Sequence, residues 1–191
     1  MVTDTMKKSV EDLLRMDAKG LKGRLSFALG EIERFGIARV LEEYPDVLAE
    51  FLKRLKEIDA AKLLSEVAGA SDRLTTLLWG GVAFRASQSK GMQSILQKAE
   101  RDFHVNIEAS DSPFQSHFIV EKGKITGGSG LLHFKDEDFR FMGPTEILIG
   151  LLVGDLPMGL SNLRLQTAGH SGWMSRVAPV MGEINKLLRA A

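Results

Sequence analysis

Three histidines, His104, His117 and His133, fall in segments that alternate like successive β-strands, each on the polar parity of its segment. On one sheet face they would form a three-nitrogen set of the kind that holds zinc with an open fourth position. Glu108 and Glu121 share that parity, and a carboxylate pair across strands is the minimum for general acid/base work. Solvated faces of amphipathic sheets carry such residues routinely, so outward charge accounts for both patterns without chemistry. The run Gly123 to Gly130, GKITGGSG, is rich enough in glycine to wrap a phosphate. It lacks the Gly-Lys-Ser/Thr ending and the following helix of a phosphate loop, so a turn or bulge is expected. Ser171 follows Gly169 and His170 at a helix start and reads as a cap, with no Gly-x-Ser-x-Gly elbow around it. No catalytic residue, metal ligand or cofactor is assigned, and a non-enzymatic role is expected. The enzymatic alternative is a metal-dependent reaction on the histidine face.

The elements that carry these residues follow from periodicity. His104 to Ala109, Gln115 to Glu121, Leu131 to Lys135, Asp138 to Met142 and Leu163 to Thr167 alternate with period two, which predicts five strands. Asp111 to Pro113 and Glu121 to Lys124 read as connectors, and Gly127, Gly128 and Gly130 as a bulge or bend between strands. One face of this sheet is apolar (Val105, Ile107, Phe118, Val120, Leu132, Phe134, Phe139, Phe141, Leu163, Leu165). The other is wet, with His104, Asn106, Glu108, His117, Glu121, His133, Lys135, Arg140, Arg164 and Gln166.

Upstream the pattern is helical. Leu21, Leu25, Ala28, Leu29, Ile32 and Phe35 share one helix face, as do Val47, Leu48, Phe51, Leu52, Leu55 and Ile58. Asp59 and Ser71 are expected N-caps of two shorter helices. Gly80 and Gly81 interrupt the pattern, and the polar run Ser87 to Lys90 marks a boundary between a helical region, 1–90, and an α/β domain, 91–191. Met92 to Phe103 is a further amphipathic helix with Ile95, Ala99 and Phe103 on one side. The fold class is α+β: a five-stranded mixed sheet with helices on one face, preceded by an all-helical region.

Composition excludes several functions. Lysine plus arginine equals aspartate plus glutamate at 25 each, so no basic field for nucleic acid is present. Cysteine is absent, which removes disulfides and thiolate chemistry and fits a reducing cytoplasm. No window approaches the length of apolar run that spans a bilayer, and the opening segment lacks a signal peptide's apolar stretch. A cytoplasmic protein is expected, touching membranes at most transiently. The apolar faces of the N-terminal helices would suit a second copy, making a homodimer.

Between Pro144 and Gly154, a first-turn proline and a helix-ending glycine, lies a helix apolar nearly all round: Ile147, Leu148, Ile149, Leu151, Leu152 and Val153. It must be covered by protein, a partner or a bound apolar molecule. Leu151, Leu152, Gly154 and Asp155, then Pro157, the Leu163-x-Leu165 strand, Gly169 and a closing helix from Trp173 to Leu188 resemble the sterol carrier protein family over about half the chain. That resemblance implies an apolar tunnel for a lipid or other apolar small molecule, lined by Phe118, Phe134, Phe141, Met142, Leu148, Leu151, Leu152, Met158, Trp173, Met174, Val177 and Met181. Arg140, His170 and Arg176 are the expected mouth. The methionines suit a ligand of imprecise shape. A different class of function, a protein-interaction or scaffold module without a usable cavity, is the alternative, motivated by the long helical N-terminal half.

Overall fold

Seven helices precede the first strand in the computed structural model, which describes residues 4–99, 101–156 and 164–189. They are α1 (Asp4–Arg15), α2 (Ala18–Phe35), α3 (Ile37–Glu43), α4 (Val47–Glu57), α5 (Ala60–Glu66), α6 (Ala70–Gln88) and α7 (Lys90–Lys98). Short polar side chains set their starts: Asp17 accepts from the Gly20 amide at 2.8 Å and Asp59 from the Lys62 amide at 3.0 Å. Ser71 is not a cap; it lies inside α6 and donates to the Pro113 carbonyl at 2.9 Å. Nor does α6 break at Gly80 and Gly81. Their missing side chains let Ile37 and Leu48 press onto the helix, and a methyl at Gly81 would run into Leu48.

The strands β1 (Phe103–Ala109), β2 (Gln115–Glu121), β3 (Lys124–Ser129), β4 (Phe139–Gly143) and β5 (Gln166–Gly169) form one mixed sheet in the order β3-β2-β1-β4-β5. Only β1 and β4 run parallel. The third strand is Lys124–Ser129, not Leu131 to Lys135. Lys122 and Gly123 both have positive φ (51° and 73°), the geometry of a two-residue hairpin, which fixes Glu121 opposite Lys124. The ladder then runs through the glycines, and residues 131–137 become a strap across the outer face. The last strand begins at Gln166 because the Arg164 carbonyl packs against Gly143, off the ladder; Leu163 lies outside the described residues.

The inner face of the sheet is covered by α6 over β2 and β3 and by α8 (Thr145–Val153) against β1 and β4. A 3₁₀ turn at Ser171–Trp173 leads into α9 (Met174–Leu188), which packs on α6, α7 and α8. Protein surrounds α8: α4, α5, α9 and the sheet all touch it, which is why it has no polar stripe. At its start Asp111 accepts from the Thr145 amide at 2.8 Å and hydroxyl at 2.6 Å. At its end the Asn185 amide donates to the Leu151 and Leu152 carbonyls, and Arg189 to those of Val153 and Gly154.

The stripes on α2 and α4 point inward. Leu21, Leu25, Leu29 and Ile32, with Val47, Phe51, Leu52 and Leu55, belong to one continuous core that runs from Met6 to Leu188. These faces are consumed within the chain and are not available to a second copy. No helix among the described residues is long and apolar enough to cross a membrane.

Candidate functional site

The space over the inner sheet face is filled by side chains. Trp79 of α6 lies 5.0 Å from Phe118, and Phe103 meets Phe118 edge-on at 6.3 Å. Gly127 makes this possible: a Cβ there would sit 2.8 Å from the Trp79 ring and 2.5 Å from the His117 carbonyl oxygen. Of the expected tunnel residues, Phe118, Phe141, Leu148, Leu152, Val177 and Met181 are buried in the common core, with Leu151 and Trp173 packed against it. Phe134, 65% exposed on the strap, and Met142, half-buried on the outer sheet face, stand apart from them. Met174 is exposed, and Met158 lies outside the described residues. Within the helical layer the gap between Leu29, Phe51 and Leu77 is about 10 Å³, barely the space of one water.

The outer face is a polar clasp. Asn106, fully buried, donates to the Leu132 carbonyl at 3.1 Å and to Glu137, and accepts from the Leu132 amide at 2.8 Å. Arg140 donates to Glu137 (2.9 Å) and Glu108 (2.8 Å). Its hydrogen bond to Glu137, above all, holds it even more firmly protonated than usual, against the opposing effect of burial. Arg140 is thus committed on the far side of the sheet from the helices, not at a mouth. The carboxylates are spoken for separately, Glu108 by Arg140 and Glu121 by Lys122. His117 bonds the Gly130 carbonyl at 3.0 Å, His104 lies 3.6 Å from Asp138, and His133 stacks on Phe134 at the strap. Among the described residues no group of three or more His, Cys, Asp or Glu is placed to hold a metal ion.

A groove of about 450 Å³, within the range of ligand sites, opens where α7 ends and α9 begins. Ile95 from α7's last turn and Ala99 just past its end, Phe103 at the first position of β1, and Pro179 and Val180 from α9 make its apolar floor. Lys98 and Arg101 stand on one wall, Ser175 and Arg176 on the other. Pro179 has no N–H, so the Ser175 carbonyl has no donor four residues on. The Arg176 guanidinium lies 4.8 Å over the Trp173 ring, and Trp173 meets Phe103 at 6.2 Å, so a line of rings runs from the groove into the core. Lys98, Arg101 and Arg176 have no acidic partner among the described residues. His170, exposed just before the 3₁₀ turn, accepts from the Gly172 amide at 3.1 Å and does not line the groove.

A second groove of about 450 Å³ runs between α4 and the ends of α8 and α9. Its cations are mostly neutralised: Lys56 pairs with Asp155, whose carboxyl is held below the usual range chiefly by that hydrogen bond, and Arg189 serves the α8 carbonyls. Of the expected site residues that are described, only Arg176 lines the first groove, with Trp173 stacked beneath it and Met174 next in sequence to its wall. Ile95 and Ala99 carried a signal, the four-residue spacing of one helix face; Phe103, expected at the end of that helix, instead opens β1, because α7 stops at Lys98. Lys98 and Arg101 carried none, because only the packing of α7 on α9 sets them opposite Arg176.

No family model matches the chain, and no curated protein matches it. Among solved structures it is similar, at a TM-score of 0.42 and 11% identity, to a stereoselective inverting sec-alkylsulfatase from Pseudomonas sp.. It is also similar, at 0.36 and 12%, to a double mutant of a sec-alkylsulfatase. All of this chain is covered in both comparisons but 33% of the other chain, so it spans a third of their length.

Proposed function

We propose that the protein binds, without catalysis, one amphiphilic molecule in the groove between α7, β1 and α9, its hydrocarbon on the apolar floor and an anionic head among Lys98, Arg101 and Arg176. The observation that carries this reading is the set of cations lacking acidic partners among the described residues around a floor of Ile95, Ala99, Phe103, Pro179 and Val180. An apolar ligand is also what the resemblance to sterol carrier domains implies. The seat differs from the expected tunnel, because α6 and its Trp79 occupy the space over the sheet. Each methylene removed from water contributes roughly 0.8 kcal/mol, so burying half of a sixteen-carbon chain contributes on the order of 6 kcal/mol before ordering costs. Exposed ion pairs with the head add up to about 1 kcal/mol each. Such a seat holds its ligand loosely, as a cytoplasmic carrier would.

Titration with a fluorescent long-chain fatty acid in vesicle-free buffer tests this directly. Saturable one-to-one binding is expected, with Trp173 emission changing on uptake and Arg176→Ala weakening affinity about fivefold, the worth of about 1 kcal/mol. Absence of saturable binding, together with no lipid in solvent extracts of the natively purified protein, refutes it.

A further inference from the structure

We infer that the rim of this groove docks on an anionic phospholipid bilayer, an inference that rests on the groove being the amphiphile's seat. The groove is open along its solvent side, so a hydrocarbon chain lying on the floor keeps one flank wet. Pressing that side onto a bilayer completes the enclosure and gives the chain a continuous apolar path.

The rim has the composition for such contact. Lys98 and Arg101 on one wall and Arg176 on the other present positive charge without acidic partners among the described residues. Asp102, the neighbour of Arg101, turns to the β2–β3 hairpin, where it accepts from the Lys122 amide at 2.9 Å. Met174, on the first turn of α9 directly before the wall residues Ser175 and Arg176, is 39% exposed. It is one of three large hydrophobic side chains that stand exposed among the described residues. An apolar tip beside a cluster of cations is the pairing that seats a protein in the headgroup layer of an anionic leaflet. Because the chain as a whole carries no net charge, the attraction is local and fades within a Debye length, about 10 Å at 0.1 M salt.

Co-sedimentation of the full chain with vesicles of phosphatidylcholine alone, and of phosphatidylcholine mixed with phosphatidylglycerol, decides the matter. The wild type is expected on the mixed vesicles only, released by high salt. Arg101→Ser should lower partition about fivefold, the effect of one basic residue near the surface. Met174→Asp should lower it further while leaving fatty-acid uptake in vesicle-free buffer unchanged, since Met174 does not line the groove. Equal sedimentation with both vesicle types, or full binding by Met174→Asp, overturns the docking surface. Loss of fatty-acid uptake by the wild type, with Met174-dependent vesicle binding intact, removes the seat and leaves the docking surface standing.

Discussion

Replacing Gly127 by alanine tests whether the N-terminal helices are part of the same solid as the sheet. The new methyl carbon would lie 2.5 Å from the His117 carbonyl oxygen and 2.8 Å from the Trp79 ring, so α6 or the β2–β3 hairpin has to move. Overpacking of this kind costs about 1–3 kcal/mol. The gain from replacing a strand glycine returns roughly 0.5–1 kcal/mol. A net loss of about 1–2 kcal/mol, and a fall in Tm of about 2–8 °C, is expected for a chain of this length. Trp79→Phe makes the logic specific, because it narrows the ring and removes a buried indole N–H that has no hydrogen-bond partner among the described residues. The double variant should then lose less than the sum of the two single ones, by at least about 0.5 kcal/mol. Urea unfolding followed by far-ultraviolet circular dichroism gives all three values. If Gly127→Ala is as stable as the wild type, or the two changes are strictly additive, α6 does not seal the sheet face as described.

Three further expectations concern the turn, the strap and the clamp at the end of α8. Lys122 is held at φ 51°, so Lys122→Gly should raise stability by about 1 kcal/mol, read as a small rise in Tm by calorimetry. Asn106→Leu strands both the Leu132 amide and carbonyl, costing about 2–4 kcal/mol, and limited proteolysis should then cut within residues 131–137. Asp155 has a folded pKa below its ordinary 3.8, so its contribution is complete above that value and disappears as pH falls through the lower, folded one. Asp155→Asn should therefore be less stable than the wild type at neutral pH and equal to it in strong acid, as urea midpoints at the two extremes will show.

Local chemistry made much of this fold legible. Pro144 and Gly154 bracket α8 at Thr145–Val153, β2 occupies Gln115–Glu121 as its alternation predicts, and Asp59 caps the helix it precedes. Where the expectation departed, a distant partner decided. Gly127 and Gly128 read as a bulge because glycine is a poor strand former; they are strand residues because Trp79, far back in sequence, lies against Gly127. Leu131 to Phe134 alternate, yet the Lys122–Gly123 turn had already assigned the next ladder to Lys124–Ser129, and Asn106 holds Leu132 across the outer face instead. The candidate site was legible only in its apolar half. Ile95 and Ala99 stood on an expected helix stripe, whereas Phe103 came from a strand and the charges around them meet only in the packed structure.

The burial of α8 among α4, α5 and α9 sets an order on biosynthesis. A ribosome releases α4 and α5 long before residues 145–153, and although the early helices pack on one another, the flanks of α4 and α5 that α8 covers stay bare until those residues emerge. A nascent chain stalled between Glu66 and Thr145 therefore shows an uncovered apolar patch, and it needs either speed or a chaperone's shelter until the segment that plugs it arrives.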